Sequence, residues 1–396
     1  MFEKLALLPP DPILGLMTLY QGDNNPDKMD LGVGVYKDEK GQTPIFASVK
    51  EAEKCVYEAE DSKVYIGPTG TAGFNAGMQK LLLGESHGVL AAPRVATVQT
   101  PGGCGALRVS AELIRRCSPD TTVWVSDPTW ANHIPLLGNT GLNIKQYPYY
   151  DYSNHTIRFD EMLAVLEKVK AGDMVLLHGC CHNPCGADLD RDQWREIAAL
   201  AERTGFVPFF DIAYLGLGQG LEEDAFGVRL LAETVPEMVV ASSCSKNFGL
   251  YRERVGAVTL MSAATEQLAA TQSQLLEIIR GIYSMPPSHG GAIVERILGD
   301  AQLMKQWRGE VAQMRERIHG LRRMLVERFN AKGAAGRFDF IAREQGMFSF
   351  LGLNAGQVKQ LQRDYSIYMV GSSRINVAGV SQTNIDYLVD AVISVL

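Results

Sequence analysis

The chain has 396 residues, 46% of them hydrophobic, enough for two or three domains and a large buried core. Charged residues make up 21% and the formal net charge is −7. This balance lacks the basic stripe of a general nucleic-acid binder, and no apolar run approaches the ~18 residues that would suggest a membrane span.

The chain opens on Met1-Phe2-Glu3-Lys4-Leu5, without the basic and then apolar pattern of a secretory signal. Short apolar runs then alternate with helical patterns. Strands are predicted over 95–99, 121–126, 174–178, 206–210, 238–241 and 255–260. Between two of them, 193–204 places Trp194, Ile197, Ala198 and Ala201 at helical spacing. Strand–helix alternation predicts a mostly parallel sheet covered on both faces. After about residue 260 long charged helices appear, notably 304–329, and from 338 onward the pattern is one of short strands and helices. That predicts a second, smaller α+β domain, and the segment before residue 45 is a candidate to join it. Seven cysteines, an odd number in a large chain, argue against a disulfide framework and for a reducing cytoplasm.

Four polar clusters, at 127–130, 182–186, 211–214 and 242–246, each follow a predicted strand. Ligands bind beyond the carboxyl ends of strands in an open parallel sheet, so the four imply one shared site. The most informative is Ser242-Ser243-Cys244-Ser245-Lys246, with Arg254 eight residues on. A lysine is ordinarily a surface residue. Lys246, however, leaves a buried strand among small hydroxyl residues, where its pKa falls as a nucleophilic amine requires. Asp211 ends the apolar run 206–210; it is either a helix N-cap or a carboxylate that keeps a ring nitrogen protonated. Tyr214 either packs or meets a ring oxygen. The glycines of Pro101-Gly102-Gly103-Cys104-Gly105 precede a helical pattern and let backbone N–H groups approach an anion; they do not form the G-x-G-x-x-G dinucleotide fingerprint. An amine beside a phosphate cradle is what a pyridoxal 5′-phosphate Schiff base needs.

Other residues carry two readings. Trp130 is a core aromatic or a ring stacked on a planar ligand. Arg374 is a surface arginine or a bidentate carboxylate clamp. His178, His182, Cys180, Cys181 and Cys185 fall within eight positions, which suggests zinc, and a zinc-binding, non-catalytic protein is the remote alternative. The paired C-x-x-C of a structural zinc site is missing, and adjacent cysteines at a strand end are more often packed thiols. No metal is expected.

Together these residues resemble the class I pyridoxal-phosphate-dependent aminotransferases, in the aspartate and aromatic amino acid branch. The resemblance runs from Asp30-Leu31-Gly32-Val33-Gly34-Val35-Tyr36 to Arg374-Ile375-Asn376-Val377-Ala378-Gly379. It implies an α/β fold: a large cofactor-binding domain over 45–310 with a mostly parallel seven-stranded sheet. A smaller α+β domain would come from both chain ends, 1–44 and 311–396. Lys246 would form the Schiff base and shuttle a proton between the substrate Cα and the cofactor. Asp211 would pair with the ring nitrogen, backed by His133 and His178. Tyr214 and Asn183 would bond the ring oxygen, and Trp130 would stack on the ring. Gly103, Cys104, Ser243, Ser245 and Arg254 would hold the phosphate. Arg374, with Asn183 and Gly34, would grip the substrate α-carboxylate. Tyr65 and Arg280 would reach into a neighbouring subunit's site, which makes a homodimer the working unit. The peptide bonds before Pro128 and Pro184 would be cis.

Three departures from the family pattern bear on specificity. Cys104 replaces the usual hydroxyl in the phosphate loop and is a weaker donor. Val64 and Met285 make the side-chain pocket more apolar. Val35, Lys37 and Thr43 keep the aspartate-type pattern. The expectation is an aromatic-amino-acid aminotransferase that also takes aspartate, uses 2-oxoglutarate as acceptor and works by a ping-pong mechanism. A strict aspartate aminotransferase is the alternative; a lyase or decarboxylase on the same fold is a third reading.

Overall fold

The computed structural model describes residues 1–7 and 12–396. The chain divides into two compact units, one of residues Pro44–Glu316 and one of Met1–Thr43 with Arg317–Leu396.

The larger unit is built on seven strands: β1 (Val95–Pro101), β2 (Thr122–Asp127), β3 (Asn143–Pro148), β4 (Met174–His178), β5 (Val207–Ile212), β6 (Met238–Ser243) and β7 (Val255–Met261). They lie in the order β1-β7-β6-β5-β4-β2-β3. Only β7 runs against the others. The central strands are mostly apolar because both faces are covered; every residue of β6 and β7 is buried. β3 is the strand missing from the sequence reading. It sits at the sheet edge with most of its side chains in solvent, so it carries no apolar run to find.

Helices cover the faces. Helix α1 (Gly102–Cys117) follows β1 directly and buries Ala106, Leu107, Val109, Leu113 and Ile114. Helix α2 (Arg191–Thr204) starts on a capping box formed by Asp190 and Gln193, and ends where Gly205 turns left-handed at φ 75°. Helix α3 spans Thr265–Ile282, and α4 spans Ala301–Ala331.

In the smaller unit the two chain ends pair directly. Met29 and Asp30 lie parallel to Ile367 and Tyr368. A second short ladder joins β8 (Phe348–Phe350) to β9 (Arg374–Asn376) in antiparallel register. Its core gathers Leu31 from the N-terminal segment, Leu325 and Phe329 from α4, and Ile375, Leu388 and Val392 from the C-terminal part. Among the described residues no helix is long and apolar enough to cross a membrane.

The loop after Tyr214 depends on one acid. The carboxylate of Asp224 accepts backbone N–H bonds from Gly216 at 2.8 Å, Gly218 at 2.9 Å, Gln219 at 2.7 Å and Gly220 at 3.4 Å. Replacing it with alanine leaves these donors without their acceptor, each at a cost of about 1–3 kcal/mol when water does not reach it. Asp224→Ala should lower the unfolding free energy by about 3 kcal/mol or more in a denaturant titration. Asp224→Asn, which keeps one acceptor oxygen, should lose less.

Candidate active site

One edge of the large sheet collects the polar clusters. Strands β1, β2, β4, β5 and β6 end there, and the antiparallel β7 begins there. The register sets Gly256 opposite both Thr100 and Ser243, so Arg254, just ahead of β7, arrives beside the ends of β1 and β6.

Asp211 lies near the end of β5 and is only 9% exposed. It accepts a hydrogen bond from His133 Nε2 at 2.9 Å. Burial pushes its carboxyl up, but the hydrogen bond from His133 and the nearby Lys246 ammonium outweigh it, and the net shift is downward. Thr129 Oγ1 bridges His133 Nδ1 at 2.8 Å and His178 Nε2 at 3.1 Å. Burial drives the His178 pKa down to about 3, so that ring stays neutral. With a neutral His133 the chain has one direction: the Thr129 hydroxyl donates to His133, and His178 donates to Thr129.

Lys246 follows β6 and stands over Tyr214, its Nζ 4.7 Å from the ring centroid. Burial lowers its pKa, Asp211 and Cys104 resist, and Arg254 adds to the fall. Asn183 Nδ2 lies 3.5 Å from the Tyr214 hydroxyl. Trp130 meets the His133 ring edge-on at 5.2 Å. The peptide bonds Asp127–Pro128 and Asn183–Pro184 are both cis.

The anion cradle is equally specific. Helix α1 begins at Gly102 with no side-chain cap and no acid in its first turn, so its first N–H groups carry unopposed positive charge. A Cβ on Gly102 would stand 2.4 Å from an Arg254 nitrogen, and one on Gly103 would stand 3.2 Å from Ser243 Cβ. Ser243 donates from its hydroxyl to Ser245 Oγ at 3.1 Å, and Arg254 Nη1 is anchored on the Tyr251 carbonyl at 2.8 Å. Cys104, in the first helical turn, faces this charge set, and burial raises its thiol pKa. Helix N-terminus, hydroxyls, guanidinium and amine form a donor set that fits a phosphate monoester next to an aldehyde-reactive amine. The residues present therefore suit pyridoxal 5′-phosphate.

Other predicted residues sit elsewhere. Tyr65 is 87% exposed and Val64 is also in solvent. Arg280 closes α3, exposed, and bonds the Ser284 hydroxyl; Met285 beside it is half-buried. Neither Tyr65 nor Arg280 has a hydrogen bond or ion pair to the Lys246 cluster among the described residues. In the smaller unit Arg374 Nη2 donates to the Gly32 carbonyl at 2.7 Å, and its guanidinium lies 4.4 Å from the Phe348 ring centre, with Gly34 on the same ring.

The cysteine-rich segment does not gather the histidine and cysteine set of the zinc reading. Cys180, Cys181 and Asp224 bring ligand atoms within 4.8 Å of one another. That carboxylate already serves the four backbone donors of 216–220. His182 instead stacks on Tyr149 at 4.1 Å and lies 3.0 Å from Ser126 Oγ and 3.1 Å from Cys185 Sγ. The reading of the sequence gave no role to Thr129, Ser126 and Tyr149. Ser126 and Tyr149 meet His182, distant in sequence, and Thr129 bridges the nearby His133 to the distant His178.

A family model described as aminotransferase class I and II matches residues 26–392. The chain is 46% identical over 396 residues to the aspartate aminotransferase of Haemophilus influenzae, all of both chains being covered. It is also 46% identical to the aromatic-amino-acid aminotransferase of Pseudomonas aeruginosa, covering all of this chain and 98% of that one. The crystal structure of an aromatic-amino-acid aminotransferase from Burkholderia pseudomallei, covalently bound to pyridoxal phosphate, superposes with a TM-score of 0.98 at 43% identity, covering 100% of this chain and 99% of that one.

The electrostatics make one prediction. In protein stripped of cofactor, Lys246 should react with an amine-directed reagent at a pH midpoint below the ~10.4 of a free lysine. Asp211→Asn should move that midpoint lower still, because the carboxylate favours the ammonium form. Peptide mapping of the labelled residue against pH measures both; a midpoint that rises in the variant contradicts the account.

Proposed function

The chain belongs to the class I and II aminotransferase family, and from that premise we propose that it moves the amino group of aromatic amino acids and of aspartate to 2-oxoglutarate. The observation that carries the reading is a half-buried Lys246 of lowered pKa beside the buried Asp211–His133 pair and an anion cradle. Pyridoxal 5′-phosphate, when bound, supplies an aldehyde for amines and a ring that withdraws electrons from the substrate.

The residues of this chain do the rest. Gly103, Cys104, Ser243, Ser245 and Arg254 hold the phosphate. Trp130 covers the ring. Asp211 keeps the ring nitrogen protonated, and the His133–Thr129–His178 chain keeps Asp211 charged. Tyr214 and Asn183 hold the ring oxygen. With the cofactor in place, the Lys246 amine would be the group that binds its aldehyde and that takes up and gives back the Cα proton of the substrate. Arg374, with Asn183 and Gly34, holds the α-carboxylate and turns the Cα–H bond toward Lys246. A carboxylate held that way is not the group lost, which favours transamination over decarboxylation. The two half-reactions alternate at one site, so the kinetics are ping-pong.

We assign the working unit as a homodimer in which Tyr65 and Arg280 serve the partner's site. Support comes from exposed apolar side chains on the same stretches: Ile45, Tyr57, Val64, Tyr65 and Ile282. The dicarboxylic substrates need Arg280, and the apolar Val64 and Met285 suit an aromatic ring. Seven free cysteines suit a reducing cytoplasm. A strict aspartate enzyme remains the second reading, since relatives of both names are equally identical to this chain.

Borohydride treatment of the holoenzyme followed by peptide mapping should label Lys246; label on another lysine would refute the reading. A kcat/KM panel with 2-oxoglutarate as acceptor separates the substrate alternatives. Arg280→Leu should cut aspartate turnover roughly a hundredfold or more while phenylalanine changes less than about tenfold, because only the former leaves a carboxylate unpaired.

The shared site has its own test. Lys246→Ala protein and Arg280→Leu protein should each be poor on aspartate. Hybrid dimers should regain activity, because one of their two sites combines an intact Lys246 with an intact Arg280. No recovery in confirmed hybrids would refute the shared arrangement. Cys104→Ser should retain cofactor about three- to tenfold longer during dialysis, followed by absorbance, because a hydroxyl donates more strongly than a thiol.

A further inference from the structure

Arg322, on α4, is 1% exposed within the smaller unit. Its guanidinium donates to the carbonyls of Ile341 at 2.9 Å, Gln345 at 3.0 Å, Gly346 at 2.8 Å and also Phe348, and it lies 3.5 Å from the Glu344 carboxylate. Glu344 in turn accepts from the Ser349 hydroxyl. These partners lie in the short segment 341–348 that leads into and begins β8. A buried guanidinium needs such satisfaction, since an unpaired buried charge costs several kcal/mol. The ordinary reading is therefore a tether between helix and loop.

What the tethered segment presents goes further. Phe348 pairs with Asn376 and Phe350 with Arg374, so Phe348 and Arg374 are diagonal neighbours across the ladder. The Phe348 ring lies under the Arg374 guanidinium at 4.4 Å. Its far edge abuts Gly34, where a Cβ would come within 2.8 Å of the ring. Apart from Arg374, the segment 32–35 is held by Asn376, which donates to the carbonyls of Val33 at 2.8 Å and Val35 at 2.7 Å, and Arg374 itself donates to that of Gly32 at 2.7 Å. The ring thus sets the height of the guanidinium above residues 32–35, and Arg322 binds the backbone carbonyl of the ring's own residue.

We propose that Arg322 is a positioning residue for substrate carboxylate binding and acts on Arg374 through Phe348. Bidentate carboxylate recognition is directional, and a cation resting on an aromatic face follows that face when it tilts. The inference rests on the reading of Arg374 as the carboxylate clamp. It adds a residue remote from the substrate whose effect is on binding rather than on proton transfer.

The test uses the purified holoenzyme with Arg322→Lys, Phe348→Leu, the double variant, and Arg374→Lys as reference. Each is assayed well below its own Tm for KM and kcat with phenylalanine and for the dissociation constant of 3-phenylpropionate, a carboxylate without an amino group. A lysine is a point donor and cannot meet four carbonyls in a plane. Arg322→Lys should raise KM and the dissociation constant together by roughly tenfold, with kcat within about threefold, since ångström-scale misplacement of a binding group costs up to ~100-fold. In the Phe348→Leu background the same change should add nothing further, the signature of action through one group. A lowered Tm with unchanged KM would overturn the proposal, as would losses that multiply in the double variant. If Arg374→Lys itself left carboxylate affinity intact, the reading of Arg374 would fall, and that outcome is distinguishable from failure of Arg322 alone.

Discussion

A carboxylate held almost out of water stays charged only when its surroundings supply what water did. Asp211 meets that condition through one hydrogen bond, from His133 Nε2 at 2.9 Å. The rest of the large-unit site is arranged around it. His133 keeps its orientation because Thr129 holds its other nitrogen, and Thr129 is held by a His178 that burial keeps neutral. The direction of the chain comes from His133: its Nε2 donates to Asp211, so its Nδ1 accepts from Thr129, whose own oxygen accepts from His178. The same carboxylate opposes the fall in the Lys246 pKa that burial causes.

The sheet topology explains how so many groups meet at one edge. Parallel strands deliver their ends together, and a strand running the other way brings its first residues to the same edge. β7 is that strand, and its register puts Arg254 beside the start of α1. The approach is close enough to dictate composition. A Cβ on Gly256 would lie 2.5 Å from the Gly102 carbonyl carbon, so backbone meets backbone there and no side chain fits. Gly102 also takes φ 70°, a left-handed conformation that glycine adopts without penalty.

Much of this was legible in the sequence for a physical reason. A strand buried on both faces is mostly apolar, which makes β4 to β7 visible, and the polar residues at their ends stand out against it. Predicted strands stopped short because polar residues close them: Asp211 lies within β5, and Ser242 and Ser243 within β6. β3 stayed hidden because an edge strand facing solvent has no apolar signature. Glycines 102 and 103 marked the cradle, but the contact of Gly102 with Arg254 depends on strand order, which local pattern does not encode. The pairing of the chain ends, Met29 with Ile367, was likewise beyond any local reading.

On the proposed reading, the two anion sites differ in how strictly their donors are fixed. A resident phosphate would be met in part by main-chain N–H groups at a helix start, where donors have no rotamers to lose, beside the side chains of Ser243, Ser245 and Arg254. A substrate carboxylate would fall to a side chain, which is free to rotate unless something restrains it. Arg374 enters binding with one N–H already committed to Gly32 and its face resting on Phe348. Part of its rotational freedom is therefore removed by the fold before any substrate arrives, and affinity for a small carboxylate gains by that amount. A flexible arginine would lose that freedom on each encounter instead.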